Sequence, residues 1–240
     1  MTDLTDRQVY ILKTIVEEYT STAEPVGSET LDKKYNLGVS PATIRNEMAY
    51  LTKQGYLAQP HTSAGRIPTP KAIKLYVDEI MREQDMSVSE EVAVKESVWD
   101  KRHVMDQLLG ETAHELARRT GSIGMAMIDD GRMYSSGYSY ILSMPEFFDI
   151  DVTRTLFGLL DEANLMLKYF QTAGEDADPK VIIGSDFGML HMEPVSCVFT
   201  RFHAGSQMGT LGVVGSLRFN YPKVIPLIRH MGILLDEITR

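Results

Sequence analysis

The run Asn36-Leu37-Gly38-Val39-Ser40-Pro41 ends one helical pattern and starts another within a few residues, and it constrains the first part of the chain more than any other feature. Gly38 can take a positive φ at no steric cost. Ser40 is a favoured N-cap and Pro41 suits the first helical position. The segment that follows repeats apolar residues at helical spacing, Ile44, Met48 and Leu51, and runs to about Gln54 before Gly55 stops it. Ahead of the turn, Ser28–Tyr35 makes a short helix with Leu31 inward. Asp6–Tyr19 makes a longer one, with Val9, Leu12, Ile15, Val16 and Tyr19 on one stripe.

After Gly55 the pattern changes to short strands. Tyr56-Leu57-Ala58 and Ile67 are strand material, and the polar tip Gln59–Arg66 lies between them. Thr69 and Pro70 open another helix, with Ile73, Tyr76, Val77, Ile80 and Met81 on its buried side. Three helices, the second and third joined by a tight turn, then a two-stranded ribbon with a polar tip, form the layout of a winged helix-turn-helix.

Such a unit grips DNA only where the field is positive. The whole chain carries 24 Lys and Arg against 33 Asp and Glu, a net charge of −9. Exposed charges are screened beyond roughly 8 to 10 Å, so the local balance decides. Residues 40–74 contain Arg45, Lys53, Arg66, Lys71 and Lys74 against the single acid Glu47. Residues 84–240 carry most of the acidic excess, fourteen basic side chains against twenty-two acidic ones. At the tip of the third helix Ser40, Ala42, Thr43, Arg45 and Asn46 are small, polar or basic, as a recognition helix requires. Arg pairs with guanine, Asn with adenine, and Thr43 meets a phosphate or a thymine methyl. The ribbon adds His61, Thr62, Ser63, Gly65 and Arg66, with Gly65 allowing close backbone approach and Arg66 placed to enter a minor groove or hold a phosphate. Lys53 and Lys71 complete the candidate DNA-binding set. The competing reading, a winged-helix protein-interaction module without DNA contact, would need exposed apolar anchors at these positions.

Beyond a polar linker over Arg82–Ser89, a long amphipathic helix is expected over Glu90–Arg119, its stripe formed by Val98, Met105, Leu109, Thr112 and Leu116. Strands are expected at Gly121–Ile128, Met133–Ile141, Val181–Gly184, Val195–Phe202 and Leu211–Arg218. Helices are expected over Val152–Phe170 and Lys223–Arg240, with Pro222 opening the last, and an acidic loop over Gln171–Pro179. The domain plan is 1–83 for the winged helix-turn-helix, 84–119 for a linker and connecting helix, and 120–240 for an α+β regulatory domain.

Chemistry-bearing constellations are absent from the sequence. The six histidines form no HExxH pair, and Cys197, the only cysteine, has no CxxC companion, so neither a metal nor a disulfide framework is expected. Asp186-Phe187-Gly188 lacks the partners of a kinase DFG and reads as a loop. Gly209, Gly212 and Gly215 lie along a strand, where close packing explains them. With no catalytic residues and no cofactor expected, an enzyme ranks last. No apolar run approaches the roughly 18 residues of a membrane span, and no export signal opens the chain, so a cytoplasmic protein is expected.

The run SPATIRNEMAYLTKQGYLAQPHTSAGRIPTP, residues 40–70, continued by KAIKLYVDEI, closely resembles the DNA-binding region of the heat-inducible transcription repressor family HrcA, with PHTSAGRIPT the most specific part. Gly137–Leu142 leading into Met144-Pro145-Glu146-Phe147 resembles a second family segment. Gly212–Gly215 with Arg218 and Tyr221–Ile225 resembles a third. The resemblance implies a homodimeric repressor of chaperonin and chaperone genes, bound to an inverted-repeat (CIRCE-like) operator. It also implies a GAF-like regulatory domain, and a GroEL-type chaperonin on which the active fold depends. Heat would release the operator by inactivating the C-terminal domain. Family members carry a third, inserted dimerising domain. Here Asp129-Asp130-Gly131 passes almost directly to Ser136-Gly137, so this chain is expected to be a shortened member without it. Gly215-Ser216-Leu217-Arg218-Phe219-Asn220 also replaces the family's GPTRMD-like run. The alternative kept open is a regulator whose C-terminal domain binds a small molecule.

Overall fold

The computed structural model of the chain describes residues 4–35, 37–171 and 178–239. It divides into two compact units, Met1–Arg82 and Glu83–Arg240.

In the first unit α1 spans Asp6–Thr22 and begins at a reciprocal cap. Thr5 Oγ1 accepts from the Gln8 N–H at 3.3 Å, and Gln8 Oε1 accepts from the Thr5 N–H at 3.0 Å. The helix runs three residues past the expected Tyr19 and ends where Ala23 turns left-handed at φ 59. Helix α2 is Ser28–Tyr35 and α3 is Pro41–Lys53. Asn36, the first residue of the expected turn, lies outside the described residues. Gly38 takes φ +69, and Ser40 accepts from the Thr43 N–H as the N-cap of α3. Strands β1 (Leu57–Ala58) and β2 (Ile67–Pro68) pair antiparallel, and α4 (Pro70–Leu75), capped by Thr69, continues as one wider π-turn over Tyr76–Ile80. The core gathers Ile11, Leu12 and Ile15 of α1, Leu31 of α2, Ile44, Met48 and Leu51 of α3, Leu57 of β1, and Ala72 and Leu75 of α4.

A carboxylate is also buried in this unit. Glu18 is only 6% exposed and accepts from Lys34 Nζ at 2.5 Å and Tyr35 Oη at 2.6 Å, tying α1 to α2. The Lys34 and Tyr35 hydrogen bonds hold its carboxyl below the usual carboxylate range. The same carboxylate pushes the Tyr35 phenol up to about 12. A depressed acid contributes stability that is full above its unfolded pKa and lost as pH falls through the folded one. A raised phenol contributes stability that is lost as pH rises through its folded value. The difference in denaturation free energy between wild type and Glu18→Gln should therefore be largest near neutrality. It should shrink below about pH 4.5 and again above about pH 10. A difference that is flat from pH 3 to pH 7 would remove Glu18 from the account.

The second unit is built on a five-stranded antiparallel sheet. Its strands are β3 (Ile123–Ile128), β4 (Met133–Ser136), β5 (Lys180–Ile183), β6 (Val195–Ala204) and β7 (Gln207–Ser216), in the spatial order β4-β3-β7-β6-β5. Register places Ile123, Val214, Cys197 and Ile182 in one row across the sheet, and Gly124, Val213, Val198 and Val181 in the next. Alternation along each strand sends these rows to opposite faces. The first row packs under α8 (Ile150–Asp161) and α9 (Ala163–Gln171), through Leu156, Leu159, Leu160, Leu167 and Phe170. The second lies under α6 (Met105–Thr120) and α10 (Tyr221–Thr239). Helix α6 sits so close to β3 that a Cβ on Gly124 would stand 2.1 Å from the Ala113 carbonyl oxygen. On β7, Gly209 and Gly212 stand opposite Phe202 and Phe199 of β6; a Cβ on Gly209 would meet the Phe202 ring at 2.4 Å, and one on Gly212 the Val198 carbonyl oxygen at 2.5 Å and the Phe199 Cβ at 2.7 Å. Close packing is thus what these glycines serve.

Several expected elements are divided. The single helix over Glu90–Arg119 is two, α5 (Val88–Trp99) and α6. A continuous helix would bring Lys101 onto the stripe between Val94, Val98 and Met105, and a buried lysine there would have no partner. The start of α5 falls before Glu90 because Ser87 and Glu90 form a reciprocal cap. The helix expected over Val152–Phe170 breaks at Glu162, which leaves helical geometry at φ −104, ψ 76. The strand expected over Met133–Ile141 stops at Ser136. Gly137, at φ +93, turns the chain into the short helix α7 (Tyr138–Ile141). The division of the chain falls after Arg82, and α6 is a layer of the second unit. That unit takes in residues 83–119 together with the expected 120–240. Of the acidic loop Gln171–Pro179, residues 172–177 lie outside the described residues, as does Arg240 at the end of the last helix.

Two polar junctions hold the second unit. Glu146, in the 3₁₀ turn Pro145–Phe148, pairs with Arg218: Nε donates to Oε1 and Nη2 to Oε2 at 3.0 Å, while Ser216 Oγ donates to Oε1 at 2.8 Å. Residues distant in sequence, from the two downstream segments with family resemblance, are thereby joined. At the other end of the sheet β3 passes to β4 through residues 129–132 alone, with Gly131 at φ +97. Arg201, 5% exposed, donates to Asp129 at 2.7 and 3.1 Å, and Arg132 donates to Asp130 and to Asp106 of α6.

Candidate nucleic-acid interface

The candidate residues separate into those that α3 and the hairpin leave free and those that the first unit uses for itself. Helix α3 buries Ile44, Met48 and Leu51. The opposite side therefore carries Ala42, Arg45 and Asn46, all exposed. The side chains of Arg45 and Asn46 make no hydrogen bond or ion pair among the described residues. Ser40 and Thr43 hold each other, hydroxyl to hydroxyl, at 3.0 Å at the helix start. Glu47, the one acid of the basic window, turns back to α1. Arg7 approaches it at 2.7 Å and Gln8 Nε2 donates to it at 2.9 Å. The carboxylate is thus neutralised away from the exposed face.

The hairpin tip is a compact turn. Gln59 Nε2 donates to the carbonyls of Thr62 and Ala64 at 2.9 and 3.1 Å, and the Ala64 N–H donates to the His61 carbonyl at 2.9 Å. His61, Thr62 and Ser63 are exposed there. Gln59, which holds the tip, was not among the expected residues; its place in a polar turn was the only signal for it. Arg66 is half-buried. Its Nε donates to Thr52 Oγ1 of α3 at 3.1 Å and its Nη1 to the Ala64 and Gly65 carbonyls at 3.4 Å, so it pins the hairpin to the helix. Lys71 is engaged too. Its ammonium donates to the Gln54 carbonyl at 2.9 Å and lies 4.2 Å over the Tyr56 ring. Lys53 is exposed.

Gly65 makes its close approach to the chain's own backbone. Arg66 exchanges two hydrogen bonds with Val26, at 2.8 and 2.9 Å, and a Cβ on Gly65 would sit 2.5 Å from the Val26 carbonyl. Gly65→Ala should therefore lift the hairpin root from the segment before α2, costing about 2 kcal/mol of first-unit stability. Chemical denaturation of the variant beside wild type measures this, and equal midpoints would contradict it.

Arg45, the tip residues Thr62 and Ser63, Arg66 and the first turn of α2 line one cleft of about 600 Å³. The third helix and the hairpin thus share a face, and of the charged side chains on it two are arginines and one is Glu29.

A family model described as the HrcA protein C terminal domain matches residues 72–225. The protein named heat-inducible transcription repressor HrcA from Desulforamulus reducens is 41% identical, over 98% of this chain and 98% of that one. The protein of that name from Pelotomaculum thermopropionicum is 28% identical, over 99% of this chain and 98% of its own. The chain belongs to the HrcA family of heat-inducible transcription repressors. The Pelotomaculum alignment runs over 342 positions against 240 residues here, so at least 102 of them carry no residue of this chain. This is a shortened member. Among solved structures, one titled only as a hypothetical protein at 2.2 Å resolution superposes with a TM-score of 0.72, at 18% identity and covering 98% of each chain, which is a likeness of fold.

Proposed function

We propose that residues 1–82 act as a winged helix-turn-helix on duplex DNA, with α3 in the major groove and the β1–β2 hairpin as the wing. The observation that carries this reading is the pair Arg45 and Asn46. They are exposed and unpartnered on the outer side of α3, Arg45 shares a cleft with the hairpin, and the only acid of that helix is turned away and paired. A protein-docking face would place large apolar side chains there. The phosphate chain supplies affinity, and base edges supply selection. Ser40, Ala42, Thr43, Lys53, His61, Thr62, Ser63, Gly65, Arg66 and Lys71 belong to the same surface, several of them by shaping it.

The family supports the rest of the reading. The chain represses heat-shock genes from the cytoplasm as a homodimer on an inverted repeat. The tethering of two half-site contacts multiplies operator affinity by orders of magnitude. The second unit, whose sheet order and flanking helices suit a GAF-like fold, holds the two winged helices at the operator spacing. Its marginal stability makes the device heat-sensitive. A GroEL-type chaperonin remains the expected folding partner. The position of the missing family domain is assigned to the tight β3–β4 connection.

Selection of bound sequences from random duplex DNA by the full chain tests the reading. An enriched palindrome is expected. A folded protein that enriches no sequence and ignores every duplex at low ionic strength would overturn it. Thermal melting beside operator binding tests the release, since binding that persists well above the second unit's transition contradicts it.

A further inference from the structure

Helix α5 carries apolar side chains on two sides, and the chain covers only one of them. Val94 and Val98 are fully buried, on the side turned to α6 and α10. Val88, Val92, Lys95 and Trp99 form a second stripe, roughly a third of a turn away. They recur after four, three and four residues, the a/d spacing of a helix that packs lengthwise on another helix. Val88 is 75% exposed, Val92 49% and Trp99, the chain's only tryptophan, 40%. A helix apolar on more than one side is ordinarily buried on more than one side. On α10, Ile233 is exposed one turn before Glu237, and Glu237 lines a groove with Trp99 and Arg102. The apolar surface thus extends beyond α5, as an interaction site does and a stray surface valine does not.

The charges along the stripe select its partner. The Lys95 ammonium lies 5.0 Å and the Arg102 guanidinium 4.4 Å from the centre of the Trp99 ring, so cations frame that end. Glu90 and Glu91 stand at the Val88 end. Glu96 and Asp100 border the groove between Val92 and Trp99. A parallel pair of such helices would set Lys95 against Lys95, and Glu91 against Glu96 at the flanking positions. An antiparallel pair removes both clashes. Val92 then faces Lys95, Val88 faces Trp99, and Glu96 falls beside the neutral Ser89. The cations around Trp99 meet Glu90 and Glu91 of the other helix. The stripe is complementary to itself, which is what a two-fold contact between copies requires.

We propose that Val88, Val92, Lys95 and Trp99 form a two-fold seam in which α5 packs antiparallel on α5 of a second copy of this chain. This rests on the reading of paired winged helices, and it names the surface that pairs them. The seam begins six residues after the first unit ends at Arg82. Of the residues between, Glu83 is held by Arg229 and the Gln84 N–H donates to the Pro222 carbonyl, both on α10. Little slack chain therefore separates the seam from the DNA-binding unit. The twelve residues of α5 span about 18 Å, so an antiparallel pair feeds its two first units from separated points, whereas a parallel pair would feed both from one end.

Sedimentation equilibrium of the full chain should show a dimer that dissociates on dilution. Trp99 reports on the seam directly, and its emission should move to the red over the same dilution. Val92→Lys sets a lysine against Lys95 of the other copy, twice in each dimer, and should weaken association about tenfold or more. Adding Lys95→Glu turns each clash into an ion pair and should restore most of the loss. A parallel seam could not be rescued so, since it would oppose lysine to lysine and glutamate to glutamate. Phe148→Asp, at an exposed apolar position outside α5, should leave the dimer intact. Circular dichroism should show each variant folded, and the emission of wild type keeps the proposal testable should one of them fail to fold. A folded Val92→Lys that dimerises like wild type, emission that stays constant while the dimer dissociates, or a wild type that is monomeric at every concentration would overturn the seam. Loss of the dimer in Phe148→Asp alone would place the interface elsewhere, and failure of the rescue would overturn the antiparallel arrangement. The DNA-binding reading fails separately, as an intact dimer that ignores every duplex at low ionic strength.

Discussion

Glu146→Ala should destabilise the second unit by about 3 kcal/mol, since it leaves the Arg218 guanidinium in a site built for a carboxylate. Both side chains of the pair are only 14% exposed, so water cannot replace the lost partner fully. Burial alone would raise the Glu146 pKa, but the hydrogen bonds from Arg218 and Ser216 outweigh it and hold the carboxyl below its usual range. The contribution is therefore complete at neutral pH and disappears on acidification through the lowered pKa. The melting temperature should fall by roughly 6–12 °C, given a unit of this size. Glu146→Gln keeps the shape and some acceptors and should cost less than half as much. The double variant Glu146→Ala, Arg218→Ala should be milder than the sum of its parts. If release of the operator follows the second unit's stability, the temperature at which Glu146→Ala loses the operator should drop in parallel. A variant that melts with wild type would dismiss the junction as a stabilising element.

Arg45→Ala should weaken operator binding by ~1–3 kcal/mol, or about five- to 150-fold, and should relax base preference at one position of each half-site. The side chain has no structural duty to lose: it is exposed, makes no contact among the described residues that the fold requires, and leaves Ile44 and Met48 in place behind it. Stability should stay within about 0.5 kcal/mol of wild type, as for other surface changes. Arg45→Lys retains the charge without the planar fork, so it should keep affinity for mixed-sequence DNA while losing discrimination. Identical isotherms and identical selected sequences for all three proteins would take α3 out of the groove.

Much of the first unit was readable because its punctuation is local. Ser40-Pro41, Thr69-Pro70 and Gly38 each declare a helix boundary or a turn through their own backbone chemistry, and α2 falls on the expected residues. What escaped reading depends on partners far along the chain. Nothing near Arg66 tells that its guanidinium belongs to Thr52, or that Gly65 is small for the sake of Val26. Similarly, Lys71 reads as a free cation until the Gln54 carbonyl and the Tyr56 ring are placed beneath it. In the second unit periodicity joined what the fold divides. Apolar spacing carries across Asp100–Val104 and across Glu162 almost unbroken, so a stripe alone cannot tell one helix from two that turn against each other. The Ser87–Glu90 capping pattern was present in the sequence but was passed over, the linker being carried through Ser89 and the helix begun at Glu90. Glu146 and Arg218 stood in separate segments with family resemblance, but only the sheet brings them together.

The short passage from β3 to β4 makes that edge a natural docking port for foreign sequence. Met127 pairs with Met133, and the Ile128 N–H reaches the Arg132 carbonyl at 3.0 Å, so the two ends of any guest placed between them would emerge side by side. A compact reporter whose own termini lie close together could be spliced at Gly131 without spreading the strands. The anchors Arg132 and Arg201 on either side would decide how rigidly it is carried.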